Sequence, residues 1–253
     1  MTMKKISILI LTVMFSVAVM AQNADERFEQ ANEAYNEGLY DQALTGYSAI
    51  ETEGLESSVL FYNMGNTYYK MKDYPHAILY YEKALKLDPS DEDTRVNLEI
   101  ANLAVVDKIN PIPQSFLKRW WNSLRAAFPA DGWAWLGVAL FALLLACLFV
   151  FLMSRRTGLR KAGFFVGLVA LVCLAFSVVF AIESQRRLTR QNEAIVMTPT
   201  VTVKSSPSTE SVDLFVLHEG TKVWILDSAR DWNKIRIADG SVGWLPVGDV
   251  TQF

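Results

Sequence analysis

The sequence predicts a multidomain membrane protein with three parts: an all-α stack of repeated helix pairs, a two-helix transmembrane hairpin and a small C-terminal all-β barrel. Three observations lead to this fold class. The first part of the chain repeats itself at an offset of 34 residues, two later stretches of more than twenty residues carry no charge, and residues 194–253 hold short apolar runs separated by turn-forming residues.

Residues 1–21 have the pattern of a secretory signal peptide. Lys4 and Lys5 precede an apolar run, and small residues follow it before the chain becomes polar at Gln22. An uncleaved membrane anchor is the alternative interpretation, although the run is short for a span. A signal peptide would send the following domain across the membrane.

Residues 22–110 form the predicted repeat domain, in which 24–57 and 58–91 are two copies of one unit. Small residues at the matched positions would let two helices cross closely, and tyrosines would fill the volume between layers. Pro89 would end the second helix of its unit, because proline supplies no N–H. The matched pairs are Ala31 and Gly65, Asn32 and Asn66, Tyr35 and Tyr69, Tyr40 and Tyr74, Ala43 and Ala77, and Tyr47 and Tyr81.

A further helix is predicted at about 91–107. It carries Val96, Ile100, Leu103 and Val106 at helical spacing, and we expect this face to cover the exposed end of the stack. The domain holds 17 Asp and Glu against 7 Lys and Arg, which argues against nucleic acid as a partner.

Segment 58–91 resembles the tetratricopeptide repeat at Gly65, Tyr68, Ala77, Tyr81, Ala84 and Pro89. The resemblance implies a concave groove in which asparagines hold an extended peptide of a protein partner. Another interpretation is that Asn32 and Asn66 only tie neighbouring helices together. The lysines of a carboxylate-binding groove are largely missing, since Phe28 and Asp93 occupy their places. The implied partner-binding residues are Phe28, Asn32, Tyr35, Asn63, Asn66, Tyr69, Lys70 and Asn97.

Residues 132–153 and 162–182 are the predicted transmembrane helices, because each uncharged run is long enough to cross an apolar layer of about 30 Å. The loop 154–161 between them is basic, which is typical of a cytoplasmic loop. We therefore expect a multi-pass protein of the bacterial inner membrane with both terminal domains in the periplasm. Residues 183–193 are a predicted linker. The basic loop residues are Arg155, Arg156, Arg160 and Lys161.

Residues 111–131 are predicted to be a linker that contains an amphipathic helix in the membrane interface. Phe116, Trp120 and Leu124 fall on one helical face, opposite Lys118 and Arg125. A plain linker is the alternative interpretation.

Six short strands are predicted in 194–253, which suggests a small barrel. The segments TVTVKSSPS, LHEGTKVWIL, DWNKIRIADG and GWLP resemble the bacterial SH3-like domain. The resemblance implies that this domain binds peptidoglycan or a peptide. Trp232 is a candidate ligand-binding residue or a core residue, and Trp244 is expected in the core.

No catalytic, cofactor or metal site is predicted. His76 and His218 fall in different predicted domains without metal-ligand spacing, and no phosphate-binding loop or nucleophile motif occurs. The sequence therefore favours a protein that is not an enzyme.

The order of these domains resembles the BatE family of the Bacteroides aerotolerance operon. That resemblance implies a scaffold in an aerotolerance or envelope stress complex, with von Willebrand A-domain membrane proteins and a MoxR-type ATPase as partners. Two binding modules held at one membrane surface would share a raised effective concentration for common partners. A peptidoglycan-binding cell-wall sensor or anchor is the alternative function.

Overall fold

The computed structural model describes residues 23–253, so the predicted signal peptide lies outside the described residues. The helices are α1 (23–36), α2 (Tyr40–Thr52), α3 (Ser58–Lys70), α4 (Tyr74–Leu87), α5 (Glu92–Asn102), α6 (Phe116–Arg125), α7 (Ala130–Met153) and α8 (Thr157–Thr189). The strands are β1 (Glu193–Val196), β2 (Thr200–Lys204), β3 (Asp213–His218), β4 (Lys222–Ala229), β5 (Trp232–Arg236), β6 (Val242–Pro246) and β7 (Val250–Gln252).

Local sequence explains where the repeat helices begin and end. Ser57 accepts a hydrogen bond from the Leu60 N–H at the start of α3, and Asp73 accepts one from the His76 N–H at the start of α4. Helix α4 ends at Leu87, two residues before Pro89, as predicted. The helix–turn–helix unit over 58–91 is therefore present.

The close helix crossing expected at Gly65 is also present. A Cβ atom on Gly65 would lie 2.6 Å from the Tyr81 ring, which is itself fully buried between the helices. Only a residue without a side chain leaves room for that ring.

The face of α5 that covers the stack is not the predicted one. Thr94, Leu98 and Ala101 are buried against the preceding helices, whereas the predicted residues point outward. The reason is that the sequence carries two apolar stripes at helical spacing, and only packing against α4 selects one of them. The exposed residues are Val96, Ile100, Leu103 and Val106.

Helix α6 forms where an amphipathic helix was predicted, and it is anchored by Trp121. The Trp121 ring lies 4.8 Å from that of Phe180 in α8, and its Nε1 donates to Glu183 at 3.2 Å. The apolar side chains of Phe116, Leu117 and Trp120 stay exposed. Helix α6 therefore packs against the C-terminal half of α8, and its aromatic face remains exposed.

Helices α7 and α8 are each long and apolar enough to cross a membrane. Their most apolar 18-residue windows have a mean hydropathy of 2.9, yet only 11% and 22% of those residues are buried by protein. Gly163 and Gly167 allow close contact, since a Cβ on either would lie 3.0 Å or 3.3 Å from atoms of Cys147. Helix α8 continues to Thr189, so most of the predicted linker 183–193 is helical.

The strands form one antiparallel sheet in the order β3-β2-β6-β5-β4-β1-β7. The described strands β3 and β7 are the edges and do not pair with each other, so the expected barrel is not closed. The sheet has a seventh strand, β7, where the sequence predicted six. Strand β1 pairs with both β4 and β7, and its Ile195 side chain packs into the helical domain rather than against a closing strand.

The helical repeats and the sheet share an apolar core. Ile195 and the last residue, Phe253, are buried in the same cluster as Ile78 of α4 and Val105. Gly220 contributes to this contact with a φ of +83°, and a Cβ there would lie 2.8 Å from the Val105 side chain. The two modules are therefore docked onto each other, which the sequence did not predict.

Candidate functional site

A chain of side-chain hydrogen bonds connects the first helices of the repeats. In the first unit, the Asn32 Oδ1 atom accepts from the Tyr47 hydroxyl at 2.7 Å and from Asn63 Nδ2 at 3.0 Å. These bonds join α1 to α2 and to α3. Asn32 thus holds three helices together through one oxygen atom.

The second unit repeats this geometry 34 residues later. The Asn66 Oδ1 atom accepts from the Tyr81 hydroxyl at 2.7 Å and from Asn97 Nδ2 at 2.9 Å. We call the two sets together the asparagine ladder: Asn32, Asn63, Asn66, Asn97, Tyr47 and Tyr81. Its repetition shows that the sequence period is also a period of hydrogen bonding.

Burial keeps the hydroxyls of the ladder tyrosines protonated. Burial and the nearby Tyr35 raise the pKa of Tyr47 to about 12, despite an opposing hydrogen bond from Asn63. Burial and the neighbouring Tyr62 likewise raise the pKa of Tyr81. Both hydroxyls therefore stay protonated and continue to donate throughout the physiological pH range.

The ladder leaves hydrogen-bonding capacity unused. Within residues 23–253, the Nδ2 groups of Asn32 and Asn66 donate to no protein atom, although both residues are half-buried. One interpretation of Asn32 and Asn66 was that they link neighbouring helices, and these hydrogen bonds are present. The bonds use the Oδ1 atoms and leave the Nδ2 donors for another partner.

The remaining predicted groove residues lie on the same helices. Phe28 packs on Tyr47 at a ring separation of 5.8 Å, Tyr35 on Tyr40 at 5.7 Å, and Tyr69 on Tyr74 at 5.6 Å. Lys70 is exposed at the end of α3. Each aromatic residue is half-buried, which leaves one edge accessible.

Tyr62 belongs with this group but was missed from the sequence. Its hydroxyl accepts from Asn97 Nδ2 at 3.3 Å, and its ring lies 6.3 Å from that of Tyr81. Its counterpart one repeat earlier is Phe28, so the offset of 34 residues was a usable signal.

Trp232 and Trp244 lie in the sheet, apart from the helical residues in the chain. Trp232 begins β5, opposite Ala229 and Pro246, and is half-buried. Trp244 is also half-buried, with Lys234 Nζ 6.0 Å above its ring. The core position expected for Trp244 is wrong, because the alternation along β6 turns Gly243 and Leu245 inward instead.

Two polar contacts fix the sheet to the helical domain. In the first, the Asp107 carboxylate accepts from the His218 backbone N–H, from His218 Nδ1 and from the Thr221 hydroxyl, each at 2.7 Å. Burial alone would raise the pKa of Asp107, but these hydrogen bonds outweigh burial and lower it.

The second contact is a buried charge cluster around Lys222. Its Nζ lies 2.7 Å from Glu82 of α4 and 2.7 Å from Glu193 of β1. Burial would lower the pKa of Lys222, but the two carboxylates raise it. Lys222 is thus held as a cation between the two modules.

Both histidines contact carboxylates, and neither contact was predicted from the sequence. His76 Nδ1 lies 2.8 Å from Asp73 Oδ2, and His218 contacts Asp107. In the part of the chain that the structure describes, no group of three or more His, Cys, Asp or Glu residues could hold a metal ion. The partner of His76 is the residue that precedes α4, and the partner of His218 lies in the linker before α6.

Comparisons with known proteins identify the helical repeat. Residues 58–91 match the sequence model of the tetratricopeptide repeat. The chain is 33% identical over 124 residues to human tetratricopeptide repeat protein 12, an alignment that covers 43% of this chain. The chain spans only 17% of the length of that human protein. A tetratricopeptide repeat is therefore present at 58–91, with two apolar helices and an antiparallel sheet after it.

Proposed function

We propose that this protein is a non-enzymatic, membrane-held scaffold that binds protein partners through its tetratricopeptide groove. The observation that carries the proposal is the asparagine ladder, of which Asn63, Asn66 and Tyr81 lie in the matched repeat. It fixes the helices through the Asn32 and Asn66 oxygens and leaves their Nδ2 donors for the backbone of a peptide. Protein–protein interaction is the activity that such repeats suggest.

The proposed membrane anchor is the α7–α8 hairpin. Its apolar side chains are mostly uncovered by protein, which in water would expose a very large apolar surface. Three residues separate the helices, and the basic side chains Arg155 and Arg156 lie there. Because this short turn is basic and the predicted signal peptide would export the repeats, we propose a cytoplasmic turn, with the repeats and the sheet both in the periplasm.

The sheet is proposed to be a second binding module that resembles an SH3-like domain, with Trp232 as its candidate ligand-binding residue. The resemblance to the BatE family supports a role in aerotolerance or envelope stress. It also supports von Willebrand A-domain proteins and a MoxR-type ATPase as partners. The docked core of Ile78, Val105 and Ile195 would present both modules in one orientation.

Replacing Asn32 and Asn66 together by aspartate tests the groove. Aspartate keeps an oxygen for Tyr47, Tyr81 and the neighbouring asparagines but removes the free Nδ2 donors. We expect the free energy of unfolding to change by less than about 1 kcal/mol, while partner binding falls about tenfold, because two peptide hydrogen bonds are lost. Binding is measured as the yield of products cross-linked in cells from a photoreactive residue at position 70.

The matched control is Asn36→Asp with Asn102→Asp, which adds the same negative charge at exposed positions of the same domain. The control should cross-link like the wild type. Equal cross-linking yields from the Asn32/Asn66 variant and the control would contradict the groove proposal.

A further inference from the structure

A polar cavity of about 760 Å³ lies where four parts of the molecule meet. Its walls come from α4 and α5 of the repeats, from α6, from the last turns of α8, and from β1 and β4 of the sheet. The volume is within the range of about 300–1,000 Å³ that is typical of ligand pockets. This cavity could not be predicted from the sequence, because the residues that line it come from segments far apart in the chain.

The cavity is rich in cations. Three carboxylates, Glu82, Glu183 and Glu193, also line it, but each has a partner: Glu82 and Glu193 bind Lys222, and Glu183 accepts from Trp121. The lining cations are Arg95, Lys118, Arg125, Arg186, Arg187 and Arg190.

The carboxylates of Glu183 and Glu193 offset the charge of Arg125 only in part, since the pKa of Arg125 is still lowered. Among residues 23–253, Arg95 is the one member of the set that forms an ion pair, with Glu92. Burial, and then the charge of Arg187, lower the pKa of Arg125. Like charges are thus held close together in a concave, partly buried place, and an anion between them would relieve their repulsion.

The position of the cavity indicates where the anion comes from. Arg186 and Arg187 lie in the last turns of α8 and Arg190 follows the helix, all within eight residues of the uncharged run that ends at residue 182. Helix α6 packs on this part of α8 through Trp121, which contacts Phe180 and Glu183, and its exposed aromatic face begins at Phe116. If α8 crosses a bilayer, this cavity lies at the depth of the lipid headgroups, with α6 in the interface.

We propose that this cavity binds the phosphate headgroup of an anionic phospholipid, with Arg125 and Arg187 as its principal ligands. The guanidinium groups would donate charge-assisted hydrogen bonds to the phosphate oxygens, and the acyl chains would lie along α6 and α8. The proposal rests on the membrane insertion stated under the proposed function. It adds a lipid that joins the repeats, the sheet and the membrane helices at one place.

The test is lipid retention by the full chain purified from nanodiscs that contain equal amounts of phosphatidylglycerol and phosphatidylcholine. We expect native mass spectrometry to show phosphatidylglycerol retained in preference to phosphatidylcholine. In Arg125→Gln with Arg187→Gln, that preference should fall about tenfold, since at least one charge-assisted hydrogen bond is lost. Inorganic phosphate at high concentration should not displace the lipid.

The matched control is Arg119→Gln with Arg230→Gln. It removes the same charge, one of the two from the same helix α6, at exposed positions that do not line the cavity. The control should retain phosphatidylglycerol like the wild type. Hydrogen exchange of α3 and α4 in each variant verifies that the helical domain is folded.

Three results would overturn the proposal. The first is equal retention of phosphatidylglycerol and phosphatidylcholine by the wild type. The second is an equal fall of the phosphatidylglycerol preference in the cavity variant and the control. The third is displacement of the lipid by phosphate, which would indicate that the cavity binds a soluble anion. Failure of the protein to enter nanodiscs would instead contradict the membrane anchor itself. The Asn32/Asn66 variant should retain lipid normally, so failure of the groove proposal is recognised separately.

Discussion

Replacing Lys222 by methionine is expected to release the sheet from the helical repeats. The substitution removes the cation between Glu82 and Glu193, whose side chains are only 14% and 17% exposed. Removing one partner of a buried ion pair costs about 3–5 kcal/mol, because the remaining charge is left without compensation. Here two carboxylates lose the same partner.

The readout is hydrogen exchange of the β1 amides in the full chain. Val196 N–H donates to Thr221 O, and Val196 follows Ile195, the β1 residue that packs into the helical domain. If docking loses about 3 kcal/mol, exchange that proceeds through undocking should become about a hundredfold faster. The amides of α7 should be unaffected, since α7 packs on α8 and neither carboxylate partner of Lys222 belongs to it.

The matched control is Lys204→Met, which breaks an ion pair with Asp213 on the same sheet. Asp213 is 66% exposed, so the loss should be less than about 1 kcal/mol. Equal exchange rates in the two variants would show that the Lys222 cluster does not hold the modules together.

The charge cluster should persist across the physiological pH range. The raised pKa of Lys222 means that its contribution is complete below its usual value of 10.5 and is lost only as the pH rises through the higher native pKa. Burial would raise the pKa of Glu193, but the charge of Lys222 lowers it, so its contribution is complete above 4.5 and is lost only in acid. At neutral pH, Lys222 and Glu193 are therefore both charged and both contribute fully to stability.

Replacing Asp107 by alanine is the second substitution with a large expected effect. It removes the acceptor of three hydrogen bonds and leaves the Thr221 hydroxyl, which belongs to a residue only 5% exposed, without its partner. We expect docking to weaken by about 3 kcal/mol, since hydrogen bonds to a charged group are worth about 1.5–3 kcal/mol each and are not additive. The same β1 amides report the change.

The pH dependence of docking follows from the lowered pKa of Asp107. A carboxylate with a lowered native pKa contributes stability that is complete above its usual value of 3.8 and is lost as the pH falls through the native value. Wild-type docking should therefore weaken below about pH 4, with His218 as the titratable group that faces Asp107. Asp107→Asn should lack this component, and an identical pH profile in the two proteins would contradict the assignment.

Elements with a local signal could be predicted from the sequence. The offset of 34 residues places Asn32 and Asn66 in the same role, and the structure gives both the same tyrosine and asparagine partners. The uncharged runs likewise become α7 and α8. In each case the residues that determine the element lie within the element or one repeat away.

Features that depend on distant contacts could not be predicted. The partners Asp107 and His218 are 111 residues apart, and Lys222 and Glu82 are 140 apart, so no spacing rule connects them. Strand β7 is three residues long and has no apolar alternation. It forms because its backbone pairs with the side of β1 that β4 does not occupy. Packing against α4, rather than the apolar pattern of α5 alone, determines which face of α5 is buried.

The most direct test of the membrane-held scaffold is the side of the membrane on which each part lies. Single cysteines would replace Ser90 after α4, Ser206 in the loop between β2 and β3, and Gly158 in the first turn of α8, in a chain with Cys147 and Cys173 changed to serine. All three positions are exposed, so a membrane-impermeant thiol reagent applied to spheroplasts reports their location. We predict labelling at positions 90 and 206 in intact spheroplasts, and labelling at position 158 only after the membrane is permeabilised. Labelling of positions 90 and 206 from opposite sides would contradict both the docked modules and the scaffold they form.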